Sequence, residues 1–481
     1  MSLLNFQRFP ELKLRAHTLI WDTRQKASSG PERVYIPNSL SDEIKTQLRQ
    51  RAQSSAGECV EGSEVLLTLG RDASEALEHP SRRLCVVGVT GTNGKTSTVE
   101  GLAWLYSSLG KKVLQIGTLG ISLWEKALGG YGTRMETVES GFTTPEAPSL
   151  HALFKQALSL GVEFVVMEVS SHALELGRVS GIDFDAALFT NLSQDHLDFH
   201  GSMEAYGEAK RKLFRKYLKD SVKPHKFAVL AAPDSLSRDF VNKTQAALLD
   251  VSHEVIEFDK NLKIVQNNLQ GLRFLWKGAE FSTCLMGEHN AWNLSLALAL
   301  LQHQGFANSD LQSMLPFFPG PKGRMERVAG NCFVDYAHTP DALENVLKTI
   351  LGFRASSQKV FCVMGCGGNR DRSKRPLMGA IAAKYADHVW ITNDNPRFED
   401  PSEIAKEILE GVAASDRARV EVILDRAEAI AQAIEWMDKD DILLVAGKGH
   451  ETYQIFKDEK KYFSDRDEIL RHWAASEAAS R

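Results

Sequence analysis

The apolar run Leu84-Cys85-Val86-Val87-Gly88-Val89, met at once by Thr90-Gly91-Thr92-Asn93-Gly94-Lys95-Thr96-Ser97, narrows the possible folds more than any other feature of the chain. A short, unbroken apolar run fits a strand buried on both faces, and such strands belong to parallel sheets covered by helices. Past the glycine loop, Val99, Leu102, Leu105, Tyr106 and Leu109 recur at helical spacing, and Gly110 stands where a helix would end. Strand, loop and helix in that order aim backbone N–H groups outward at a helix N-terminus, where they cradle phosphate oxygens. Lys95 is placed to neutralise outer phosphates and the Thr96 hydroxyl to ligate magnesium. The full pattern has a glycine six residues before the lysine, and here that position is Val89. A glycine loop can also be an ordinary tight turn. Gly-Lys-Thr in this context favours a nucleotide site, with ATP the default.

The same texture continues along the chain. VLQIG, EFVVMEV and AALFTN read as further strands, and SLHALFKQALSLG reads as a helix between two of them. Beyond FFPGPKGR, a hinge around Pro319 to Arg324, CFVDY, KVFCVMG, HVWITN, VEVIL and DILLVAG read as strands, with KRPLMGAIAAKYA helical. This alternation is α/β architecture. A chain of 481 residues exceeds one ordinary core, and at about 150 residues per domain it predicts roughly three. The first eighty or so residues mix strand-like runs, RVYIP and VLLTL, with polar helix-like stretches, and close at the breaker-rich HPSRR. The expected domains are a small one over 1–82, a central one with a P-loop ATPase-like parallel sheet over 83–322, and a Rossmann-like one over 323–481.

Sheets of this kind bind ligands beyond the carboxyl ends of their strands. Glu168 ends one strand and is followed by Ser170, Ser171 and His172; AALFTN leads to Asp195, His196, Asp198 and His200. A carboxylate there can hold magnesium against nucleotide phosphates, and His196 could complete a second metal's shell. The bland alternative is a capped loop whose acids and histidines satisfy backbone groups. Lys210, in EAYGEAKRKLF, reads on its own as one cation on a solvated helix face.

Bulk properties exclude several partner classes. A formal net charge of −5 and a pI near 6.3 leave no basic footprint for nucleic acid and no polybasic membrane patch. The six cysteines lack CxxC spacing, and most sit in apolar runs, which fits a reducing compartment. The first residues lack the apolar stretch of a signal peptide, and no span is long enough to cross a bilayer, so a cytoplasmic protein is expected.

TGTNGKTS, MEVSSHAL, TNLSQDHLDFHG with the EAYGEAK lysine, GEHNAWN, GRMERV, VDYAHTPDAL, GCGGNRDRSKRPLM, DNPR and GKGHETYQ occur in the order seen in Mur ligases. The chain resembles that family from about Leu84 onward, and most closely the branch that adds the third residue of the peptidoglycan stem peptide. The resemblance implies ATP, two magnesium ions, and phosphorylation of the terminal carboxylate of UDP-MurNAc-L-Ala-D-Glu, with an amine then displacing phosphate. It implies that Gly91, Thr92, Asn93, Gly94, Lys95, Thr96 and Ser97 bind the ATP phosphates, and that Lys95, Glu168, His196 and Lys210 serve catalysis. Thr96, Glu168, His196 and Lys210 would be the metal ligands, Lys210 after carbamylation. His289, Asn290 and Asn293 match the adenine side, and Arg324 and Asp335 match residues that grip ATP from the C-terminal domain. Two domains feeding one site would imply hinge closure. Thr143, Thr144, Ser170 and Arg178 match contacts to the UDP-sugar dipeptide, although Leu176 replaces a residue that is polar in some relatives. Thr23, within Asp22-Thr23-Arg24, matches an element that meets the uridine diphosphate in an otherwise shortened N-terminal domain.

In the same resemblance, Asp394, Asn395, Pro396 and Arg397 form the motif that accompanies meso-diaminopimelate, with Arg370, Gly447 and Glu451 completing its contacts. An arginine fork pairs two hydrogen bonds with a carboxylate, and diaminopimelate has a distal carboxylate where lysine has none. The alternatives are the same reaction with L-lysine, another Mur-type ligase such as a folylpolyglutamate synthetase, and a phosphate-loop switch that hydrolyses ATP to change shape. No nucleic acid or membrane insertion is expected, and a monomer is.

Overall fold

The computed structural model describes residues 4, 11–14, 17–22, 25, 30–37, 40–248 and 250–479. By internal contacts the chain divides into two compact units. The first comprises the chain through residue 263 with 274–281 and 289–318; the second comprises 264–273, 282–288 and 319–481.

The first unit carries two sheets. The smaller has the order β1 (Lys13–Leu14), β2 (His17–Ile20), β3 (Glu32–Pro37), β4 (Glu58–Gly62). Side chains alternate across it, as the two-residue period of a strand requires. Tyr35 packs with Leu69 and Ala73 of the helix Val65–Ala76, while Val34 and Ile36 pack with Leu48 and Ala52 of the helix Asp42–Ser54. VLLTL is therefore helix, not the strand its short apolar run predicts. Val65, Leu69 and Ala73 recur every four residues and bury one face. A brief apolar run is ambiguous until its partner surface is known.

The larger sheet is built from β5 (Cys85–Thr90), β6 (Val113–Gly117), β7 (Gly120–Lys126), β8 (Gly132–Val138), β9 (Phe164–Glu168), β10 (Ala186–Phe189), β11 (Phe227–Ala232) and β12 (Ser252–Glu257). Its order is β12-β11-β10-β5-β9-β6-β7-β8. The α/β class expected from sequence holds, with one refinement: β12 through β6 are parallel, and β7 and β8 add an antiparallel edge. The reason is local. Only Thr118 and Leu119 separate β6 from β7, too few for the crossover that a parallel pair needs. Because β5 lies between β9 and β10, the segments that follow these three strands emerge side by side at one sheet edge.

HPSRR forms a single 3-10 turn, Pro80–Arg83, and the residues before β5 are bonded to the larger sheet's loops. Ser74 Oγ donates to Gly181 O at 3.0 Å, Ser180 Oγ donates to Leu67 O at 2.7 Å, and Arg82 pairs with Asp183 at 3.0 Å. A three-stranded sheet of β13 (Leu262–Asn268), β14 (Gly271–Trp276) and β15 (Ala279–Thr283) follows, and the division between the units runs through it.

The second unit is organised on β16 (Glu326–Ala329), β17 (Cys332–Asp335), β18 (Val360–Met364), β19 (His388–Ile391), β20 (Val420–Val422) and β21 (Ile442–Ala446), ordered β16-β17-β21-β18-β19-β20. All neighbours are parallel except β16 with β17. Alternate residues face opposite helical layers: Cys362 and Leu444 pack with Leu343, Met378 and Ile408, while Val363 and Leu443 pack with Ile430 and Ile469. A hairpin, β22 (Tyr453–Phe456) and β23 (Glu459–Tyr462), closes the chain's last loop before the helix Asp465–Ala479. No helix among the described residues is long and apolar enough to cross a membrane.

Candidate active site

In the first unit, the loop after β5 is shaped around its own backbone. Gly94 has φ +83°, and a Cβ there would lie 2.2 Å from Asn293 Oδ1, so no other residue fits without displacing that amide. Asn293 and Asn290 are buried on the helix Glu288–His303, whereas His289 beside them is exposed. Thr190 Oγ1 donates to Asn93 O at 2.6 Å, and Asn93 N donates to Asn191 Oδ1 at 2.9 Å. The Thr92 hydroxyl donates to Ser193 O at 3.2 Å and accepts from Ser193 N at 3.0 Å. Lys95 turns back onto the loop, its Nζ donating to Gly91 O at 2.9 Å and Thr92 O at 2.8 Å. Ser97 lies in the first turn of the helix Lys95–Ser108, half-buried.

A second cluster joins this loop to the ends of β6 and β9. Glu168, the last residue of β9, is buried, and its Oε1 accepts from the Thr96 hydroxyl and from Thr118 N, both at 2.9 Å. Its Oε2 accepts from Thr118 Oγ1 at 3.2 Å, and that hydroxyl lies 3.2 Å from Thr143 Oγ1. Thr144 Oγ1 donates to Glu168 O at 2.9 Å and accepts from Ser170 N at 3.2 Å. Arg178 Nη1 donates to Thr144 O at 3.2 Å, and its guanidinium lies 4.6 Å above the Phe142 ring. Ser170 also caps the helix Ser171–Glu175 through Ala173 N. The residues that sequence assigned separately to phosphate, metal and dipeptide thus share one hydrogen-bonded chain.

Lys210 is not on a solvated face. It sits on the buried side of the helix Met203–Lys212, its Nζ donating to Gly91 O at 2.7 Å and lying 4.2 Å over the Tyr206 ring. Burial, and then the neighbouring Lys95 charge, hold its ammonium well below the ordinary lysine range. His196 has φ +52° and stands half-exposed 3.4 Å from Asp195, its ring 4.7 Å from that of His172. Burial lowers its pKa despite Asp195. His200 shares a hydrogen bond with Ser171 Oγ at 3.0 Å, and its ring lies 5.5 Å from His172. Among the described residues, no three His, Cys, Asp or Glu side chains are arranged as a ready metal cluster. The Thr96 hydroxyl and Glu168 carboxylate, in direct contact, are nevertheless the hard oxygen donors that magnesium takes.

In the second unit, Asp335 ends β17 with its carboxylate accepting from Met325 N at 2.7 Å and Ala337 N at 2.8 Å. Burial raises its pKa against the pull of Arg324. The Arg324 guanidinium lies 4.9 Å over the Tyr336 ring. Asp394, Asn395 and Pro396 are buried in the loop after β19. Arg397, at φ +52°, pairs its backbone with β22 through Ile455 O at 2.9 Å, and its Nη1 donates to Gly368 O at 2.8 Å. Asn395 Nδ2 donates to Glu451 Oε2 at 3.0 Å, and Gly447 N donates to Asp335 O at 3.0 Å. Arg370 is exposed on the neighbouring loop. Thr23 lies outside the described residues.

Thr118, Asn191, Tyr206 and Lys448, whose Nζ donates to Glu451 Oε2 at 3.1 Å, have places in these networks that the sequence did not mark. Thr118, Asn191 and Lys448 stand within two residues of the end of an apolar strand, the one signal that could have found them.

A family model described as the Mur ligase middle domain matches residues 89–301, and one described as the Mur ligase glutamate ligase domain matches 323–449. A UDP-N-acetylmuramoyl-L-alanyl-D-glutamate–2,6-diaminopimelate ligase of Prochlorococcus marinus is 41% identical over 426 residues, 85% of this chain and 81% of that one. The ligase of that description from Aquifex aeolicus is 42% identical over 409 residues, 82% of this chain and 79% of that one. The solved structure of a ligase of the same description aligns over 95% of both chains with TM-score 0.67 and 30% identity. A Mycobacterium tuberculosis folylpolyglutamate synthase shares the fold, with TM-score 0.63 at 18% identity over 79% of this chain and 92% of that one.

Proposed function

The chain belongs to the Mur ligase family, and from that premise we propose that it joins meso-diaminopimelate to UDP-MurNAc-L-Ala-D-Glu at the expense of ATP, in peptidoglycan precursor synthesis. The observation that carries the reading is the chain from Thr96 through Glu168 and Thr118 to Thr143, which ties the phosphate loop to the residues proposed to hold the acceptor peptide. A carboxylate is a poor electrophile because its leaving group would be oxide. Transfer of the γ-phosphoryl group of ATP onto one carboxylate oxygen makes an acyl phosphate and releases ADP. The amine then attacks the carbonyl carbon, loses a proton, and inorganic phosphate departs with that oxygen.

The work of the protein in such a reaction is positioning and charge neutralisation. The loop N–H groups and Lys95 would take the phosphates, Lys95 giving up its bonds to Gly91 O and Thr92 O. Asn290 and Asn293 would meet the adenine side with His289. Thr143, Thr144, Ser170 and Arg178 would hold the peptide. Magnesium, when bound, would neutralise phosphate oxygens during transfer; Thr96 and Glu168 suit one ion, and His196 with Lys210 a second. The depressed ammonium of Lys210 favours the free amine, which can add carbon dioxide and release a proton to become an anionic carbamate. Arg370, Asp394, Asn395, Arg397, Gly447 and Glu451 would receive the diamino acid. With this reading go the domain boundaries 1–82, 83–322 and 323–481, a cytoplasmic location and a monomeric state.

Phosphate release by the purified protein tests the proposal. Turnover should require both UDP-MurNAc-L-Ala-D-Glu and meso-diaminopimelate, with L-lysine a much weaker acceptor. Turnover of ATP alone at the full rate would instead mark a nucleotide switch, and equal rates with L-lysine would refute the assigned amino acid.

A further inference from the structure

Lys448 lies in the turn after β21, and its side chain is wholly buried. Its Nζ lies 3.1 Å from Glu451 Oε2, 3.3 Å from Asn395 Oδ1 and 3.5 Å from Asp394 Oδ1, and it stands 5.5 Å from the centre of the Tyr453 ring. One ammonium therefore touches three of the side chains proposed above to receive the diamino acid, which come from two different loops. Asn395 is itself fixed, since its Oδ1 accepts from Ile455 N at 3.0 Å and its Nδ2 donates to Glu451. Arg426 acts on Asp394 and Glu451 from farther away, but its own buried charge is already met by Asp465 at 2.7 and 2.8 Å.

We infer that Lys448 is a positioning residue that holds the Asp394 and Glu451 carboxylates together and leaves that pair with one uncompensated negative charge for the substrate's distal ammonium. The inference rests on the reading of this loop pair as the amino-acid site. Two carboxylates against one internal ammonium match one further cation. Without the internal ammonium, two buried carboxylates would face each other unpaired, and such groups part or take up protons. A protonated or displaced Glu451 no longer attracts an ammonium. Lys448 is held inside the protein rather than offered to substrate, its nitrogen hydrogen-bonded to Glu451 Oε2 and Asn395 Oδ1 and ion-paired with Asp394 at 3.5 Å.

The test is steady-state kinetics of the full-length enzyme with each of its three substrates varied in turn. Lys448→Met should raise KM for meso-diaminopimelate by about tenfold or more, the scale of a lost charge-assisted contact. KM for ATP and for the UDP-dipeptide should stay within about twofold. Lys448→Arg, which keeps the charge, should recover most of the loss. If Lys448→Met does not melt cooperatively, Lys448→Gln keeps hydrogen-bond donors without the charge and should show the same selective rise. An unchanged KM for meso-diaminopimelate, a uniform loss across all three substrates, or an arginine variant as impaired as the methionine one would each overturn the inference. If the unsubstituted enzyme fails to couple meso-diaminopimelate, it is the proposed function that falls.

Discussion

Lys210 shows how far one residue's meaning depends on its surroundings. In sequence it is a cation in a charged helical stretch; in the fold it is buried against Tyr206 and bonded to Gly91 O, the same carbonyl that holds Lys95. Two ammonium groups on one carbonyl are an unstable arrangement electrostatically, and burial adds to the cost of keeping both charged. The proposed modification to an anion would remove the conflict and supply a negative ligand beside the phosphate loop. Lys210→Ala should therefore lower kcat by about 10²–10³-fold, the usual cost of removing one charge-stabilising group. Circular dichroism should show the fold retained, and undiminished turnover would discard the ligand role. Local pattern could not reveal this, because the contact joins residues 119 positions apart. Glu168 was legible, since it closes a strand at the sheet edge where ligands collect. Thr118, which holds Glu168 through both its N–H and its hydroxyl, was hidden in a two-residue turn.

At the level of elements, the sequence was most informative where an apolar run was long or framed by glycine. The strands β5, β9, β18 and β21 and the helix Lys95–Ser108 stand where their patterns put them. The run VLLTL failed as a strand because five apolar-rich residues satisfy either period, and only packing against Tyr35 decides between them. The antiparallel edge of β7 and β8 was likewise invisible, since pairing direction follows from connection length more than from composition. The helix Ala147–Ser159 brings a pH consequence of its own. His151 on it is fully buried, its Nε2 2.9 Å from Ser180 O, and burial pushes its pKa down to about 4. The unfolded chain, with a histidine near pH 6.5, then takes up the proton first as the solution is acidified. Stability linked to this group is complete above about pH 6.5 and is lost as pH falls toward 4. Between pH 7.5 and 5 the loss should be about 2 kcal/mol, read by urea unfolding of the protein. His151→Gln should remove that increment, and an identical pH slope in the variant would contradict the assignment.

For the molecule as a whole, each unit is an α/β layer structure whose proposed functional residues cluster beyond the carboxyl ends of its parallel strands. That rule made part of the first unit's site legible from sequence, since the phosphate loop follows β5 and Glu168 ends β9; Thr143 and Thr144, between β8 and the helix Ala147–Ser159, were marked only by the resemblance to Mur ligases. The second unit's site was legible as motifs but not as a network, because the bonds among Asp394, Asn395, Lys448 and Glu451 join loops more than fifty residues apart. The proposed reaction depends on a carboxylate made reactive by phosphoryl transfer. Isotope tracing tests that most directly: UDP-MurNAc-L-Ala-D-Glu with ¹⁸O in its terminal carboxylate is converted with ATP and meso-diaminopimelate, and the released phosphate is weighed by mass spectrometry. The expected result is one ¹⁸O atom in the phosphate for each amide formed by fully labelled carboxylate. Amide formation with unlabelled phosphate would contradict the acyl-phosphate route.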